Sequence, residues 1–322
     1  MDARKELPFV IESTISMDAS GIHAEYRYQQ PIVGFMNALR RAAYTTFVSM
    51  DGAYIAQLSF HAKRLVQGVC KLEPAANVPS VSQVEHTLCH LIDDAFEFHA
   101  RTGYDLQFVS ALTVTADLNT KLRMHISQVK SSSCKLDMVT VECGGKPRDR
   151  PRIKNAEWFH QRKPLQHSRS KEAFETILIN RDDDGFIHLY EGLVSNLFMI
   201  TKTLEVITAA DDTVLPGSTR HLVLESCRDL GIRTVECAPR LADWRDWAVG
   251  FVTNAKIWVV GVRRILVPRC GDGDEGAEGG VLLSCEDRAV ELLGAIREGV
   301  LSAARKEAYV VGSLQRGRDY CC

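Results

Sequence analysis

Residues 180–200 read NRDDDGFIHLYEGLVSNLFMI, and two incompatible proteins can be read from them. Counted from Asn180, the stretch falls into a calcium-loop register: Asp182 and Asp184 take positions three and five, Gly185 position six and Glu191 position twelve. Such a loop needs hard oxygen ligands held between two helices. Its first ligand should be Asp, and here it is Asn180. The flanking Phe186, Ile187, Leu189 and Tyr190 are strand formers, Gly192 would open the exiting helix, and no second loop is available to pair with it. Asp and Gly suit tight solvated turns. RDDDG therefore reads as a hairpin turn, and Glu191 belongs to the EGLVSN that follows.

With 45% hydrophobic and 25% charged residues, the composition is ordinary for a soluble globular protein. Its 322 residues suggest about two domains. With 39 basic against 41 acidic side chains, the net charge of −2 gives no electrostatic reason to expect a nucleic-acid or membrane partner. The ten cysteines are scattered with no C-x-x-C pair, which argues against a zinc ribbon and fits reduced thiols in the cytoplasm. The N-terminal MDARKELPFVIES mixes acids with bases and has no apolar run, unlike a signal or transit peptide. No window has the length of a transmembrane helix.

Outward from the opening stretch, 175–180 and 186–190 read as strands around the acidic turn, and 195–200 and 204–208 as further strands. PGSTRHLVLESCRDLG (216–231) reads as a loop feeding a helix that Gly231 ends. GIRTVECA and GFVTNAKIWVVGVRRILV are strand-like, GDGDEGAEGG (271–280) is a flexible acidic loop, and a last helix spans about 285–308, with capping-box spacing between Ser284 and Asp287. Upstream, 43–57 reads as a hairpin turning at Asp51-Gly52, LSFHAKRLVQG as a short helix and 82–102 as an amphipathic helix. Segments around 107–115, 121–128 and 136–142 read as strands of one sheet. The polar GGKPRDRPR (144–152) is a candidate linker. The expected division is an N-terminal α/β domain over 1–143, the linker, a C-terminal domain over 153–312 and a flexible tail over 313–322.

EGLVSNLF (191–198) resembles the E-G-x-x-S-N-x-F signature of the class IV, or fold-type IV, pyridoxal-phosphate (PLP) enzymes. These include branched-chain aminotransferases, D-amino-acid aminotransferases and aminodeoxychorismate lyases. Three further stretches match in the family's order: HAKRL (61–65) resembles its H-x-x-R-L, IKNAEW (153–158) the stretch holding its lysine, and LPGSTR (215–220) its L-P-G-x-T-R. The middle segment is similar in wording to branched-chain-aminotransferase-like proteins. The resemblance implies a two-domain α+β fold of the D-amino-acid-aminotransferase type, with a small N-terminal α/β domain and a C-terminal barrel-like α/β domain, and a homodimer.

It also implies roles for residues. Lys154 would form the Schiff base that PLP requires, 191 − 154 = 37 positions before Glu191. Glu191 would hold the proton on the cofactor's ring nitrogen. Ser218 and Thr219, where a glycine turn meets a helix, would bind the phosphate with free N–H groups, and Arg64 would add a charged contact. Asn196 would brace the loop, Thr253 and Asn254 would assist in cofactor binding, and Tyr44 would sit near the substrate carboxylate. The substrates would be an amino acid and a 2-oxo acid, and no metal is expected.

Two departures stand out. Where many relatives have a tyrosine after the lysine, this chain has Trp158 and Phe159, and FVTNAKIW (251–258) places Ala255 in a run that is otherwise Ser/Thr-rich. They leave open a non-catalytic protein that keeps the fold, and a lyase would use the same main residues as an aminotransferase. His86 and His90 lie four residues apart but lack the glutamate of H-E-x-x-H, and read as a solvated helix face. GGKP (144–147) is not a phosphate loop, because no Ser or Thr follows the lysine, and Cys321-Cys322 read as a frayed tail.

Overall fold

The computed structural model describes residues 8–14, 23–99, 104–129, 138–267 and 280–312. The acidic stretch 271–279 and the tail 313–322, including Cys321-Cys322, lie outside them. The polypeptide forms two compact units: Met1–Ser132, Ile153–Gln161 and Ala304–Cys322 make the first, Ser133–Arg152 and Arg162–Ala303 the second.

In chain order the first unit opens with β1 (Phe9–Thr14), β2 (His23–Gln29), α1 (Ile32–Ala38), β3 (Ala42–Met50), β4 (Tyr54–Ile55), α2 (Leu58–Leu72), α3 (Val81–His99), β5 (Asp105–Val114) and β6 (Thr120–Val129). The second begins with β7 (Val139–Cys143). The chain then supplies α4 (Glu157–Gln161) to the first unit. It continues in the second with α5 (Lys163–Ser168), β8 (Glu175–Arg181), β9 (Ile187–Gly192), β10 (Asn196–Thr201), β11 (Val206–Thr208), α6 (Ser218–Asp229), β12 (Thr234–Glu236), a 3-10 turn (Leu241–Asp246), β13 (Trp247–Asn254), β14 (Trp258–Leu266) and β15 (Val281–Leu282). The long α7 (Asp287–Lys306) and β16 (Tyr309–Val310) end the described chain.

The first unit is an antiparallel sheet in the order β16-β4-β3-β5-β6-β1-β2. The expected hairpin forms, with Ala53 N–H bonded to Met50 C=O at 3.0 Å across Asp51-Gly52. The helical spacing of Ala62, Leu65 and Val69 on α2, and of Val84, Leu88, Leu91 and Ile92 on α3, buries both helices against Phe47, Phe108, Leu122 and Ile126. Each fully buried side chain of this size contributes about 1.5–3 kcal/mol. Ser80 and Gln83 start α3 as a reciprocal capping box, Gln83 N–H to Ser80 Oγ at 3.2 Å and Ser80 N–H to Gln83 Oε1 at 2.9 Å. The opposite sheet face packs Phe35, Tyr44, Val109 and Ala111 with Ala156.

In the second unit the strands run β12-β11-β10-β13-β14-β7-β8-β9, and β9 pairs with β10. That last pairing closes six strands into a barrel, as the family resemblance implied. The barrel closes at one residue pair, Glu191 opposite Asn196, the two ends of the EGLVSN stretch. Val141, Ile177, Leu189, Leu197, Met199, Val252 and Val262 fill its core.

Two expectations need correction. Strand β7 does not join β5 and β6; it runs parallel to β14 and β8 in the barrel. Its alternation marks a strand, but its partners are residues far along the chain, which local pattern cannot name. Ser284 does not cap with Asp287; its hydroxyl goes to Glu286 at 3.2 Å. Among the described residues no helix is long and apolar enough to cross a membrane.

Candidate active site

In the first unit, residues 153–156 run beside β3, where Asn155 forms an isolated antiparallel bridge with Ala43. Tyr44 N–H donates to Lys154 C=O at 2.8 Å, and Ala156 N–H to Ala42 C=O at 3.0 Å. This pins Lys154 beside Tyr44, with Nζ 5.0 Å from the ring centroid, within range of a cation–π contact. Asn155 Oδ1 then accepts Trp158 N–H at 3.1 Å and starts α4. Because strand side chains alternate, Thr45 points the other way and bonds His61 Nδ1 at 2.7 Å. Burial, and after it the charges of Arg64 and Lys154, hold His61 well below the ordinary imidazole value, so this ring stays neutral. Arg64 is half-buried on α2, its guanidinium carbon 4.7 Å from the Phe60 ring centroid.

In the second unit, Glu191 is held at both oxygens. Arg148 Nε donates to Oε1 at 2.9 Å and Leu215 N–H to Oε2 at 3.0 Å. Arg148 lies in the polar stretch 144–152, within the second unit, and its side chain is only 6% exposed against 5% for Glu191. The pair is a buried ion pair with a carboxylate of fixed direction. Asn196 Nδ2 donates to Leu215 C=O at 2.8 Å, so both backbone groups of Leu215 are bound by the two ends of EGLVSN. Gly217 is required here, since a Cβ would stand 2.2 Å from Asn196 Oδ1.

Helix α6 begins immediately after Gly217, which offers no side-chain cap to its first turn. Free N–H groups and the positive dipole end are thus left at Ser218 and Thr219. Thr219 Oγ1 and Thr253 Oγ1 are buried with no hydrogen-bond partner. Thr253 pairs with Asn196 across β10 and β13, so Glu191, Asn196 and Thr253 form one row around the barrel. Two buried hydroxyls without acceptors, at a helix N-terminus and on the adjoining barrel, fit a phosphate. Asn254 spends its amide on the β13–β14 turn, accepting Lys256 and Ile257 N–H at 2.9 and 3.0 Å and donating to Val194 C=O at 3.1 Å.

Sequence reasoning passed over three residues. Arg148 sits in a charged run that looks like a linker, and Glu175 is one acid ahead of an apolar strand. Arg220 lies inside LPGSTR, but its buried guanidinium turns to Asp211, Ala209 C=O and Glu236, anchoring the start of α6. Its position in the matched motif was the available signal.

The acidic run is the hairpin turn that its Asp and Gly residues suggested. Asp182 accepts Phe186 N–H at 2.8 Å and His188 Nε2 at 2.9 Å, binding its own hairpin, while Glu191 faces Arg148. His86 and His90 are exposed on α3 with Nε2 atoms 3.2 Å apart. Among the described residues no three His, Cys, Asp or Glu side chains converge as a metal site.

Residues 42–265 match the family described as amino-transferase class IV. The chain belongs to that family, whose members are enzymes that work with PLP. Among solved structures it is similar to a branched-chain aminotransferase of the archaeon Thermoproteus uzoniensis with norvaline, at 14% identity and TM-score 0.67 over 94% of this chain and 99% of that one. It is also similar to the PLP form of the enzyme from Thermobaculum terrenum, at 16% identity and TM-score 0.66 over 94% and 98%. A PLP-bound hypothetical aminotransferase from Mycobacterium tuberculosis matches at 16% identity and TM-score 0.65 over 91% and 99%. At such identities the likeness is one of fold. No curated protein matches the chain.

Proposed function

We propose that this class IV enzyme is an aminotransferase of the branched-chain type, moving an amino group between an amino acid and a 2-oxo acid. The observation that carries the reading is the pair of buried, unpartnered hydroxyls, Thr219 at the start of α6 and Thr253 on the barrel, in the unit where Arg148 and Leu215 fix the Glu191 carboxylate. The hydroxyls and the first N–H groups of α6 are the donors for the cofactor's phosphate. Glu191 is the acceptor for the ring nitrogen's proton.

Bound PLP supplies an electron-poor ring and a carbon that carries the amino group from one acid to the other. Lys154 is the residue to which PLP attaches. Its amine would take the proton from the substrate's α-carbon as general base and deliver it, as general acid, to the cofactor carbon rather than back to the substrate. Tyr44, packed beside it, lines the substrate's path. Neutral His61 behind β3 spares that region a further positive charge. We also infer a cytoplasmic setting, which the six free thiols among the described residues fit, and a homodimer, which the family resemblance implies.

The test is to purify the protein with PLP, record its visible band, fix the adduct with borohydride and repeat with Lys154→Ala. A band in wild type, adduct on Lys154 and loss of both in the variant are expected. No band and no adduct would sink the reading. Conversion of bound PLP to its amine form by amino acids marks the aminotransferase, whereas release of pyruvate without an amino acceptor would mark a lyase.

A further inference from the structure

Beneath the signature turn lies a buried carboxylate that the proposed function does not use. Glu175, at the start of β8, is 2% exposed. Its Oε1 accepts Thr176 N–H at 3.0 Å, and its Oε2 accepts both Val194 N–H at 3.2 Å and the Ser195 hydroxyl at 3.0 Å. The turn is closed by Gly192 N–H to Ser195 C=O at 2.8 Å. A Cβ on Gly192 would stand 2.2 Å from Ser195 Oγ and 2.7 Å from Glu175 Cγ. Glu175, Gly192 and Ser195 therefore interlock. The residues on either side of the interlocked turn are Glu191 and Asn196, the pair that closes the barrel.

We propose that Glu175 is a positioning residue of the cofactor site: its ionised carboxylate gathers three donors and holds the 192–195 turn in the shape that aims Glu191 and brings Asn196 to Leu215. The inference rests on the proposed role of Glu191. A protonated carboxyl still accepts at both oxygens but carries no charge, so its bonds to Val194 and Ser195 of the turn would weaken.

Two consequences of opposite sign follow from burial. Burial pushes the Glu175 carboxyl up, while the three donors and the Arg169 guanidinium, 3.9 Å away on the segment before β8, pull it back. Glu142, on the neighbouring β7, gives its carboxylate to the Thr176 hydroxyl and Ser170 N–H. As pH rises, the unfolded chain loses the Glu175 proton first, so ionising this group costs folding stability. Acidification thus favours the wild-type fold relative to a variant that cannot ionise, yet it loosens the turn. A residue that only supports the fold would move stability and cofactor binding in the same direction.

The experiment compares PLP-loaded wild type, Glu175→Gln and Ser195→Ala between about pH 5 and pH 8. The visible band of bound PLP reports affinity, and denaturant unfolding reports stability. An amide in place of the carboxylate must oppose a donor with its own NH2, so Glu175→Gln should bind PLP about tenfold more weakly at neutral pH. That ratio should shrink toward acid while the stability difference moves in favour of wild type. Ser195→Ala removes one of the three donors and should weaken binding less, in the same direction; it carries the test if the glutamine variant does not fold. Variants binding PLP as wild type does, or affinity and stability falling in parallel, would overturn the inference while leaving the proposed function intact. Wild type that takes up no PLP would overturn both.

Discussion

At the scale of single residues, the site depends on a charge pair that the chain hides from water. Arg148 and Glu191 are both almost fully buried, and Leu215 holds the second oxygen. Removing one partner leaves an uncompensated buried charge, which typically costs about 3–5 kcal/mol. Arg148→Met should therefore lower stability by about that amount in denaturant titrations; an unchanged midpoint would show that the pair is not buried in solution. Glu191→Ala should slow amino-group transfer severely while leaving the protein equally indifferent to calcium. Glu191 and Lys154 could be picked out because their neighbours spell a motif. Arg148 and Glu175 could not, since a charge acquires its meaning from what it faces after folding, and the residues they face are 43 and 19–20 positions away.

At the scale of elements, the signature turn and the turn before α6 are stitched by close approach. Gly192 and Gly217 each touch a polar side chain where a Cβ would sit. Gly217→Ala must push Asn196 away from Leu215, and it should weaken PLP affinity by about tenfold, the worth of one hydrogen bond. Gly192→Ala displaces Ser195 and Glu175 and should cost about 1–3 kcal/mol of stability, read from thermal or denaturant unfolding. Most elements were legible beforehand. The 43–57 hairpin, α2, α3, α6 and the strands around the acidic turn follow from periodicity and turn chemistry. Strand β7 was recognised as a strand and given the wrong neighbours. Its parallel partners, β8 and β14, are reached only through long connections, and a two-residue alternation is blind to them.

At the scale of the molecule, acid should be destabilising through histidines that the native fold keeps neutral. His61 is held well below its ordinary value by burial first and by Arg64 and Lys154 next, and His125 is lowered by burial. The unfolded chain binds these protons near the usual histidine value of about 6.5, while the folded chain resists them. Stability is therefore full above that pH and falls as the pH drops below it. Denaturant midpoints followed downward from neutral pH should show the loss, with a shallower slope in His61→Gln; equal slopes would mean that the ring ionises inside the fold.

By itself, the sequence determined the class of the protein. The four motifs in order resemble one family and through it led to the two-domain α+β fold and PLP, while the strand and helix periods and the turn residues marked the elements, because these signals are local. Only the tertiary structure decided how the barrel closes, which strands neighbour β7, which guanidinium faces Glu191 and which carboxylate lies beneath its turn. Those are contacts between distant positions. Their energies come from burial and from donors meeting acceptors in three dimensions, and the linear order of residues does not display either.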